Sequence, residues 1–283
     1  MISREVIKEF IKGALSEDIG TGDITTELTI PDNHISLAKA IAKEDFILAG
    51  LPIFIEVFRF LSERISYEPF FSDGDPVSSG ETIARIKGPT RALLMGERVA
   101  LNILQRLSGI ATLTHSFVEK VEGTGVKILD TRKTTPAMRL LEKYAVKVGG
   151  AQNHRFGLYD GILIKDNHIE AAGGIKKAIA LVREAKPHLL KIEVEVKNLN
   201  ELKEAIEAGA DIVMLDNMGV EQIRSAVALA RERRQDIVIE VSGGVRLENV
   251  RELALTGVDY ISVGALTHSA KAVDISMKIE RIP

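Results

Sequence analysis

From residue 126 onward, short apolar runs alternate with amphipathic stretches of helical length. The apolar runs predict strands at 126–129, 161–165, 191–196, 211–215, 237–241 and 259–263, and the stretches 199–208, 220–233 and 247–255 carry apolar residues at helical spacing. Alternation of strand and helix predicts a parallel sheet with right-handed crossovers. A closed barrel needs more than six strands, so we expect one or two further strands near 150–158 or in the helical segment that precedes residue 126.

The first 110 residues follow a different pattern. Apolar spacing predicts helices at 2–15 and 52–62, alternation predicts a strand within 35–49, and short runs joined by tight turns over 73–88 indicate an antiparallel sheet. A long helical run over 93–121 contains Ser108-Gly109, where we expect an interruption. Gly149, Gly209 and Gly257 stand where helix C-caps are expected.

Nearly every predicted parallel strand ends in a polar group or a glycine. The residues at these ends are Asp130, Lys165, Glu195 or Lys197, Asp216, Ser242 and Gly264. In an open doubly wound sheet the functional groups gather at one switch point, whereas in a barrel they converge from all strands on one mouth. The pattern therefore favours an α/β barrel with its functional site at the carboxyl ends of the strands.

Composition limits the range of partners. The chain has 283 residues, a formal net charge of −3 and no cysteine. The overall charge gives no reason to expect nucleic acid or a membrane surface as a partner, and thiol nucleophiles, disulfides and cysteine-based metal sites are excluded. We expect a soluble, cytoplasmic protein whose anion binding arises from local clusters of cations.

Five basic side chains stand beside the predicted strand ends. They are Arg132, Lys133, His154, Arg155 and Lys165. Arginine offers a planar fork to carboxylates and lysine a point charge to phosphates, so a shared mouth would suit a ligand with several carboxylates or phosphates. The alternative for any one of them is a solvated surface cation.

Three carboxylates accompany the cations. Asp216 ends the apolar run 212–215, and we expect one of the two acids in Glu193-Val194-Glu195 to face the barrel lumen and the other the helix layer. A carboxylate among cations can accept ribose hydroxyls or help to hold Mg²⁺ on phosphates, and the alternative is a structural ion pair.

Two glycine-bearing segments predict a phosphate site. Ser242-Gly243-Gly244 and Val263-Gly264-Ala265-Leu266-Thr267 follow the last two predicted strands, where barrels often bind phosphate through backbone N–H groups. His34, His115, His188 and His268 lack metal-ligand spacing, and we interpret them as capping or solvent-facing residues, although His268 lies near the predicted phosphate loop.

Long motifs, in order along nearly the whole chain, resemble those of quinolinate phosphoribosyltransferase. The matching segments are Glu17–Thr25, Gly96–Asn102, Leu107–Thr112, Asp130–Thr134, Lys143–Val146, Asn153–Arg155, Ile164–His168, Glu193–Val196, Leu215–Asn217, Ser242–Gly244 and Gly264–Ser269.

The resemblance implies a type II phosphoribosyltransferase fold of α/β and α+β character. An N-terminal α/β sandwich domain would comprise 1–110, joined by 271–283, and an incomplete TIM-like α/β barrel would comprise 111–270. It also implies a homodimer or a dimer-based hexamer with shared active sites, in which Arg98 enters the site of the partner subunit.

The resemblance assigns roles to the site residues. Quinolinate would be bound by Arg98 of one subunit and, in the other, by Thr131, Arg132, Lys133, His154, Arg155 and Lys165. Phosphoribosyl diphosphate (PRPP) would be bound by Lys133, Lys165, Glu195, Asp216, Ser242, Gly243, Gly244 and Gly264, with Mg²⁺ held through PRPP and with Glu195 and Asp216 as candidate ligands. The catalytic residues would be Lys133, Lys165, Glu195 and Asp216.

The implied reaction converts quinolinate and PRPP to nicotinate mononucleotide, CO₂ and diphosphate in NAD biosynthesis. Two related activities remain as alternatives, a molybdenum-associated paralogue and a nicotinate phosphoribosyltransferase. A non-catalytic sensor that binds anions in the barrel is the alternative from another class.

Overall fold

A computed structural model describes residues 3–281, which divide into two compact units. Unit 1 comprises residues up to His115 together with Thr135–Gly150 and the segment from Ser269 onward; unit 2 comprises Ser116–Thr134 and Ala151–His268. The predicted start of the first helix at residue 2 lies outside the described residues, as do positions 1, 282 and 283 of the predicted N-terminal domain.

Unit 1 combines helices with an antiparallel sheet, as predicted. Its helices are α1 (Arg4–Ile19), α2 (Ile24–Thr29), α3 (Leu51–Leu61), α4 (Thr90–Lys120), which continues into the first residues of unit 2, and α5 (Arg139–Val148). Its strands are β1 (Ile35–Ala42), β2 (Phe46–Ile47), β3 (Ser66–Pro69), β4 (Pro76–Val77), β5 (Thr82–Pro89) and β12 (Ile275–Arg281). Four of them form a sheet in the order β12-β1-β5-β3, and β2 pairs with β4.

The burial pattern of β1, an inner strand of this sheet, explains why this segment forms a strand. β1 buries every second residue, including Ala38, Ala40 and Ala42, and this alternation matches the two-residue period of a strand. The strand β12 pairs antiparallel with β1, with Ala38 opposite Ile279 and Ala42 opposite Ile275. A segment from the far end of the sequence therefore completes the sheet of unit 1.

Two polar contacts tie the segment 135–150 to unit 1, whereas the sequence assigned this segment to the barrel domain. Asp73 caps the N-terminus of α3 by accepting the N–H of Gly50 at 2.8 Å and of Leu51 at 3.0 Å, and it also accepts the hydroxyl of Tyr144 at 2.6 Å. The buried Glu142 accepts Arg106 Nη2 at 2.8 Å. Such contacts join residues far apart in the chain and leave no local pattern in the sequence.

The predicted interruption of the long helix is wrong. α4 runs unbroken through Ser108 and Gly109. A Cβ atom at Gly109 would collide with the backbone carbonyl oxygen of Lys271, so the glycine permits a close approach of another segment and does not end the helix.

Unit 2 contains all six predicted parallel strands. They are β6 (Lys127–Leu129), β7 (Ile162–Ile164), β8 (Ile192–Val196), β9 (Ile212–Asp216), β10 (Val238–Ser242) and β11 (Tyr260–Ser262), in the order β6-β11-β10-β9-β8-β7. The expected further strand near 150–158 is reduced to one parallel bridge between Gln152 and Leu129 at the outer side of β6. Across the described residues no pairing joins β7 to this edge, which agrees with the predicted incomplete barrel.

Helices connect the strands of unit 2. They are α6 (Asp166–Ala172), α7 (Ile175–Ala185), α8 (Leu199–Ala208), α9 (Val220–Arg233), α10 (Val250–Ala254) and α11 (Ala265–His268). Gly209 ends α8 in the left-handed conformation, with φ 87°. Within residues 3–281, no helix has both the length and the apolar character that crossing a membrane requires.

Candidate active site

The carboxyl ends of the parallel strands surround a cavity of about 690 Å³ in unit 2. Eleven of the thirteen residues predicted for the site line it: Thr131, Arg132, Lys133, His154, Arg155, Lys165, Asp216, Ser242, Gly243, Gly244 and Gly264. Glu195 does not line the cavity, but it accepts a hydrogen bond from Lys165, which is a lining residue. Arg98 belongs to unit 1, where it lies exposed on α4.

Asp130 holds together the two segments that carry the arginines. Its side chain is fully buried at the end of β6, where it accepts the Asn153 amide at 2.6 Å and the backbone N–H of His154 at 2.9 Å. These two bonds fasten the loop that carries Arg155 beside the segment that carries Arg132. Charge-assisted hydrogen bonds of this kind are among the stronger polar contacts in proteins.

The two arginines lie close enough to repel one another. Partial burial, and then the positive charge of Arg132, lower the pKa of the Arg155 guanidinium. Arg155 Nη1 donates to the carbonyl oxygen of Gly161 at 2.9 Å, which fixes one side of the guanidinium. Two neighbouring cations that repel one another form a site that an anion would stabilise.

At two further strand ends, acids lie beside the cavity. Lys165 Nζ lies 2.9 Å from Glu195 Oε2, and Glu195 is only 8% exposed. Asp216, at the end of β9, accepts the amide of Asn217 at 2.9 Å. Both carboxylates therefore stand at strand ends, oriented by a neighbouring donor.

The expectation that Glu193 and Glu195 face opposite sides is wrong. Residues two positions apart on a strand share a face, because side chains alternate with a period of two. The side chain of Glu193 accepts His154 Nε2 at 3.1 Å, while that of Glu195 contacts Lys165. Both carboxylates thus point to the inner face of the sheet, one deeper than the other.

The inner face also holds a buried acid that the sequence analysis missed. Glu240, in the middle of β10, is 3% exposed, accepts the hydroxyl of Ser262 at 2.5 Å and lies 3.8 Å from His154 Nε2. Burial, and then the negative charge of Glu193, raise the pKa of Glu240 to about 8. A charged residue inside an otherwise apolar predicted strand was the signal in the sequence that could have identified it.

The glycine segments bring backbone close to the cavity. Gly243 has φ 91°, and a Cβ atom there would collide with the side-chain oxygen of Asn217. At Gly264 a Cβ atom would lie 3.1 Å from Lys133 Cδ and 3.2 Å from His268 Nε2. Gly243 needs glycine because of its left-handed backbone and this collision, whereas a side chain at Gly264 would press on Lys133 and His268, which line the cavity.

Helix α11, which follows β11, also fixes the backbone of Lys133. Thr267 Oγ1 donates to the backbone carbonyl of Lys133 at 2.9 Å. His268, interpreted from the sequence as a capping or solvent-facing residue, lines the same cavity and is exposed there. The site therefore offers cations, backbone near glycines and two carboxylates, a combination suited to a ligand that carries several negative charges and hydroxyl groups.

Comparison with known proteins matches the N-terminal and the C-terminal part of the chain to two domains of one protein family. A family model described as quinolinate phosphoribosyl transferase, N-terminal domain, matches residues 23–108, and one described as the C-terminal domain matches 110–278. A protein of Bacillus subtilis named probable nicotinate-nucleotide pyrophosphorylase (carboxylating) is 47% identical over 273 residues, which are 96% of this chain and 93% of that protein.

Two further similarities cover the chain. A protein of Synechocystis with the same name is 43% identical over 276 residues, 98% of this chain and 93% of that protein. The crystal structure of NadC from Streptococcus pyogenes superposes with a TM-score of 0.94 at 43% identity, covering 100% of this chain and 99% of that one.

Proposed function

The chain belongs to the quinolinate phosphoribosyltransferase family, and from this we propose that it converts quinolinate and PRPP to nicotinate mononucleotide, CO₂ and diphosphate in NAD biosynthesis. The observation that carries the proposal is the cavity of unit 2, where Arg132, Arg155 and Lys165 converge at the carboxyl ends of the strands. The chemistry of both substrates fits the charges that line this cavity.

The arginines suit quinolinate, which carries two adjacent ring carboxylates. Arg132 and Arg155 present planar forks that can each take a carboxylate in two parallel hydrogen bonds. Burial, and then the charge of Arg132, lower the pKa of Arg155, so a dianion would relieve repulsion already present in the site. Thr131, Lys133, His154 and Lys165 complete the proposed pocket.

The lysines and the glycine segments suit PRPP. Lys133 and Lys165 would meet the diphosphate, while Gly243, Gly244 and Gly264 leave room for phosphate oxygens near the backbone, beside Ser242. Glu195 and Asp216 would accept the ribose hydroxyls, in the manner that carboxylates bind such groups in other nucleotide sites.

The proposed reaction needs no nucleophile from the protein. The lone pair of the pyridine nitrogen forms a bond to the ribose C1 as the bond from C1 to diphosphate breaks, and C1 becomes positively charged in the transition state. Glu195 and Asp216 would stabilise that charge, and Lys133 and Lys165 the departing diphosphate, so that catalysis rests on positioning and electrostatics. The carboxylate on the carbon beside the ring nitrogen then leaves as CO₂; its bonding electrons stay on that carbon and take up a proton.

We further propose that Mg²⁺ assists this site. Mg²⁺ prefers oxygen ligands and is usually held by one or two carboxylates together with substrate phosphates, so Glu195 and Asp216 are the residues that would hold it. The donor set fits, since both groups offer carboxylate oxygens, Asp216 lines the cavity and Glu195 contacts Lys165, which is proposed to meet the diphosphate. When bound, the ion would neutralise part of the diphosphate charge.

The proposed assembly is a homodimer, or a hexamer built from dimers, in which Arg98 reaches the partner's quinolinate site. Its exposed position on α4 leaves Arg98 available for such a contact. On α2, Ile24 and Leu28 are 74% and 82% exposed and lie four residues apart, which gives unit 1 an apolar helix face suited to an interface. A cytoplasmic location belongs to the same proposal, and fractionation of cells would test it.

One assay tests the function. The purified protein is incubated with PRPP, Mg²⁺ and either quinolinate or nicotinate, and nicotinate mononucleotide and CO₂ are followed by mass spectrometry. Product from quinolinate alone is the expected result. Product from nicotinate alone would identify a nicotinate phosphoribosyltransferase, and binding of PRPP without turnover of either acid would favour the paralogue or the anion sensor.

A further inference from the structure

A chain of polar groups crosses the barrel interior beneath the cavity. It begins at Ser262 on β11, whose hydroxyl donates to Glu240 on β10, and continues to Glu193 on β8, because the carboxylates of Glu240 and Glu193 both face His154 Nε2 and have oxygens within 4.8 Å of each other. Glu193 accepts His154 Nε2 at 3.1 Å, and His154 Nδ1 accepts the backbone N–H of Arg155 at 2.7 Å. The chain thus ends at the residue proposed to bind a quinolinate carboxylate.

The last bond defines the tautomer of His154. A backbone N–H can only donate, so Nδ1 must carry a lone pair, and the ring hydrogen of neutral His154 stands on Nε2. That hydrogen faces the two glutamates, with Glu193 as its nearer acceptor. The two ring nitrogens are therefore engaged with the protein's own groups.

The same tautomer argues against a metal at this cluster. The ligand atoms of His154, Glu193 and Glu240 lie within 4.8 Å of one another, a spacing that could suit a cation. A metal on Nε2 would leave the neutral ring with its hydrogen on Nδ1, opposite the N–H of Arg155, and two donors would then face each other. The hydrogen-bond pattern fits a shared proton better than an ion.

Of the two buried glutamates, Glu240 is the one whose surroundings favour the protonated form. Around Glu240 stand Glu193 on β8, His154 from the loop after Gln152, Ser262 and Tyr260 on β11, and the uncharged Met214 on β9. Burial, and then the charge of Glu193, raise the pKa of Glu240 to about 8, so the protonated form is favoured at neutral pH. A protonated Glu240 can donate to Glu193 while it accepts from Ser262, so the buried pair of acids carries one negative charge instead of two.

From this geometry we propose that Glu240 is a positioning residue for the carboxylate-binding arginine: through Glu193 and His154 it fixes the backbone of Arg155. The proposal rests on the proposed function, because it concerns how the quinolinate pocket is held in shape. It assigns His154 a role through Arg155, in place of a direct bond from its ring nitrogens to the substrate.

The first test compares two replacements of Glu240. Glu240→Leu removes the hydrogen bond with Ser262 and the carboxyl group beside Glu193, and we expect the KM for quinolinate to rise roughly tenfold while the KM for PRPP changes little. Glu240→Gln keeps a neutral acceptor for Ser262 and a donor for Glu193, so it should restore most of the quinolinate affinity that the leucine variant loses. Ile239→Ala, on the same strand and buried, is the control for a loss of stability without loss of the polar chain.

The second test is the pH profile. In the wild type the KM for quinolinate should rise above about pH 8, where Glu240 loses its proton, and in Glu240→Gln this rise should be absent. This comparison decides the matter even if the leucine variant does not fold. A purely structural role of Glu240 would leave the same profile in both proteins and would overturn the proposal.

Two further measurements, neither of which depends on enzyme activity, could overturn the proposed role of Glu240. Long-range ¹⁵N–¹H correlation spectra of the wild type should show the pyrrole-type nitrogen of His154 at Nε2, and a hydrogen on Nδ1 would contradict the assignment. If one equivalent of a transition metal copurified with the wild type and was absent from Glu240→Leu, the cluster would be a metal site and the proposal of a shared proton would be wrong. A wild type inactive on quinolinate would instead refute the proposed function, whatever these spectra show.

Discussion

At the scale of single residues, Arg132 is the most direct test of the quinolinate pocket. Arg132→Ala removes a fork for a carboxylate, and a hydrogen bond to a charged group contributes about 1.5–3 kcal/mol, so we expect the KM for quinolinate to rise at least tenfold. Arg233→Ala, which breaks a surface ion pair with Glu207, should leave the same constant unchanged. Steady-state kinetics check both variants, and wild-type kinetics for Arg132→Ala would remove this residue from the pocket.

Glu240 also predicts how stability depends on pH. Its pKa is raised from 4.5 to about 8 on folding, so between these values the folded protein holds a proton that the unfolded chain has lost. The free energy of unfolding therefore falls as pH rises through this window, and Glu240→Gln lacks this contribution. We expect the Tm of Glu240→Gln, relative to wild type, to increase from pH 5 to pH 8, and a constant difference between the two melting temperatures would contradict the assignment.

The sequence predicted that charged residues would gather at the strand ends, because their positions follow directly from the strand pattern, and their role in binding stays a prediction. Eleven of thirteen line one cavity. It did not identify the acids deeper in the barrel. The face of Glu193 was misjudged, and Glu240 acquires its role only through His154 and Ser262, which lie in other segments of the chain.

At the scale of elements, two helical glycines give a matched pair of substitutions. Gly13, exposed in α1, has open space around it, so Gly13→Ala should stabilise the protein by about 0.5–1 kcal/mol through helix propensity. Gly109→Ala in α4 meets the Lys271 carbonyl and should destabilise by about 1–3 kcal/mol, as overpacking does. Urea unfolding measures both changes, and equal effects would mean that the close approach at Gly109 has no energetic consequence.

The elements themselves were largely predictable. All six parallel strands coincide with apolar runs, because strands covered by helices leave nearly continuous hydrophobic sequence. The reason for a glycine at position 109 inside α4 and the place of α5 were not predictable. Both depend on partners distant in sequence, Lys271 near Gly109 and Asp73 beneath Tyr144, which no window along the chain contains.

At the scale of the whole molecule, the proposed shared site predicts complementation between inactive subunits. Arg98→Ala and Lys165→Ala should each be nearly inactive, since one loses the arginine given to the partner and the other a lysine of its own cavity. After random exchange, half of the dimers of a two-fold assembly are hybrids with one intact site each, so about a quarter of wild-type activity should return.

The control is each variant mixed with itself, which should stay inactive, while native mass spectrometry confirms the exchange of subunits. Absence of recovery despite confirmed hybrids would place Arg98 outside the partner's site. A protein that sediments as a monomer at assay concentration would exclude the shared site altogether.

The pairing of β12 with β1 has a consequence for the order of events during synthesis. β1 emerges early from the ribosome, but its neighbour β12 follows the whole of unit 2 in the chain. Until then, one side of β1 exposes unpaired backbone groups, which are a template for association with other chains. Nascent chains stalled within unit 2 should therefore depend on chaperones far more than the finished protein, even though most of unit 1 has already been made.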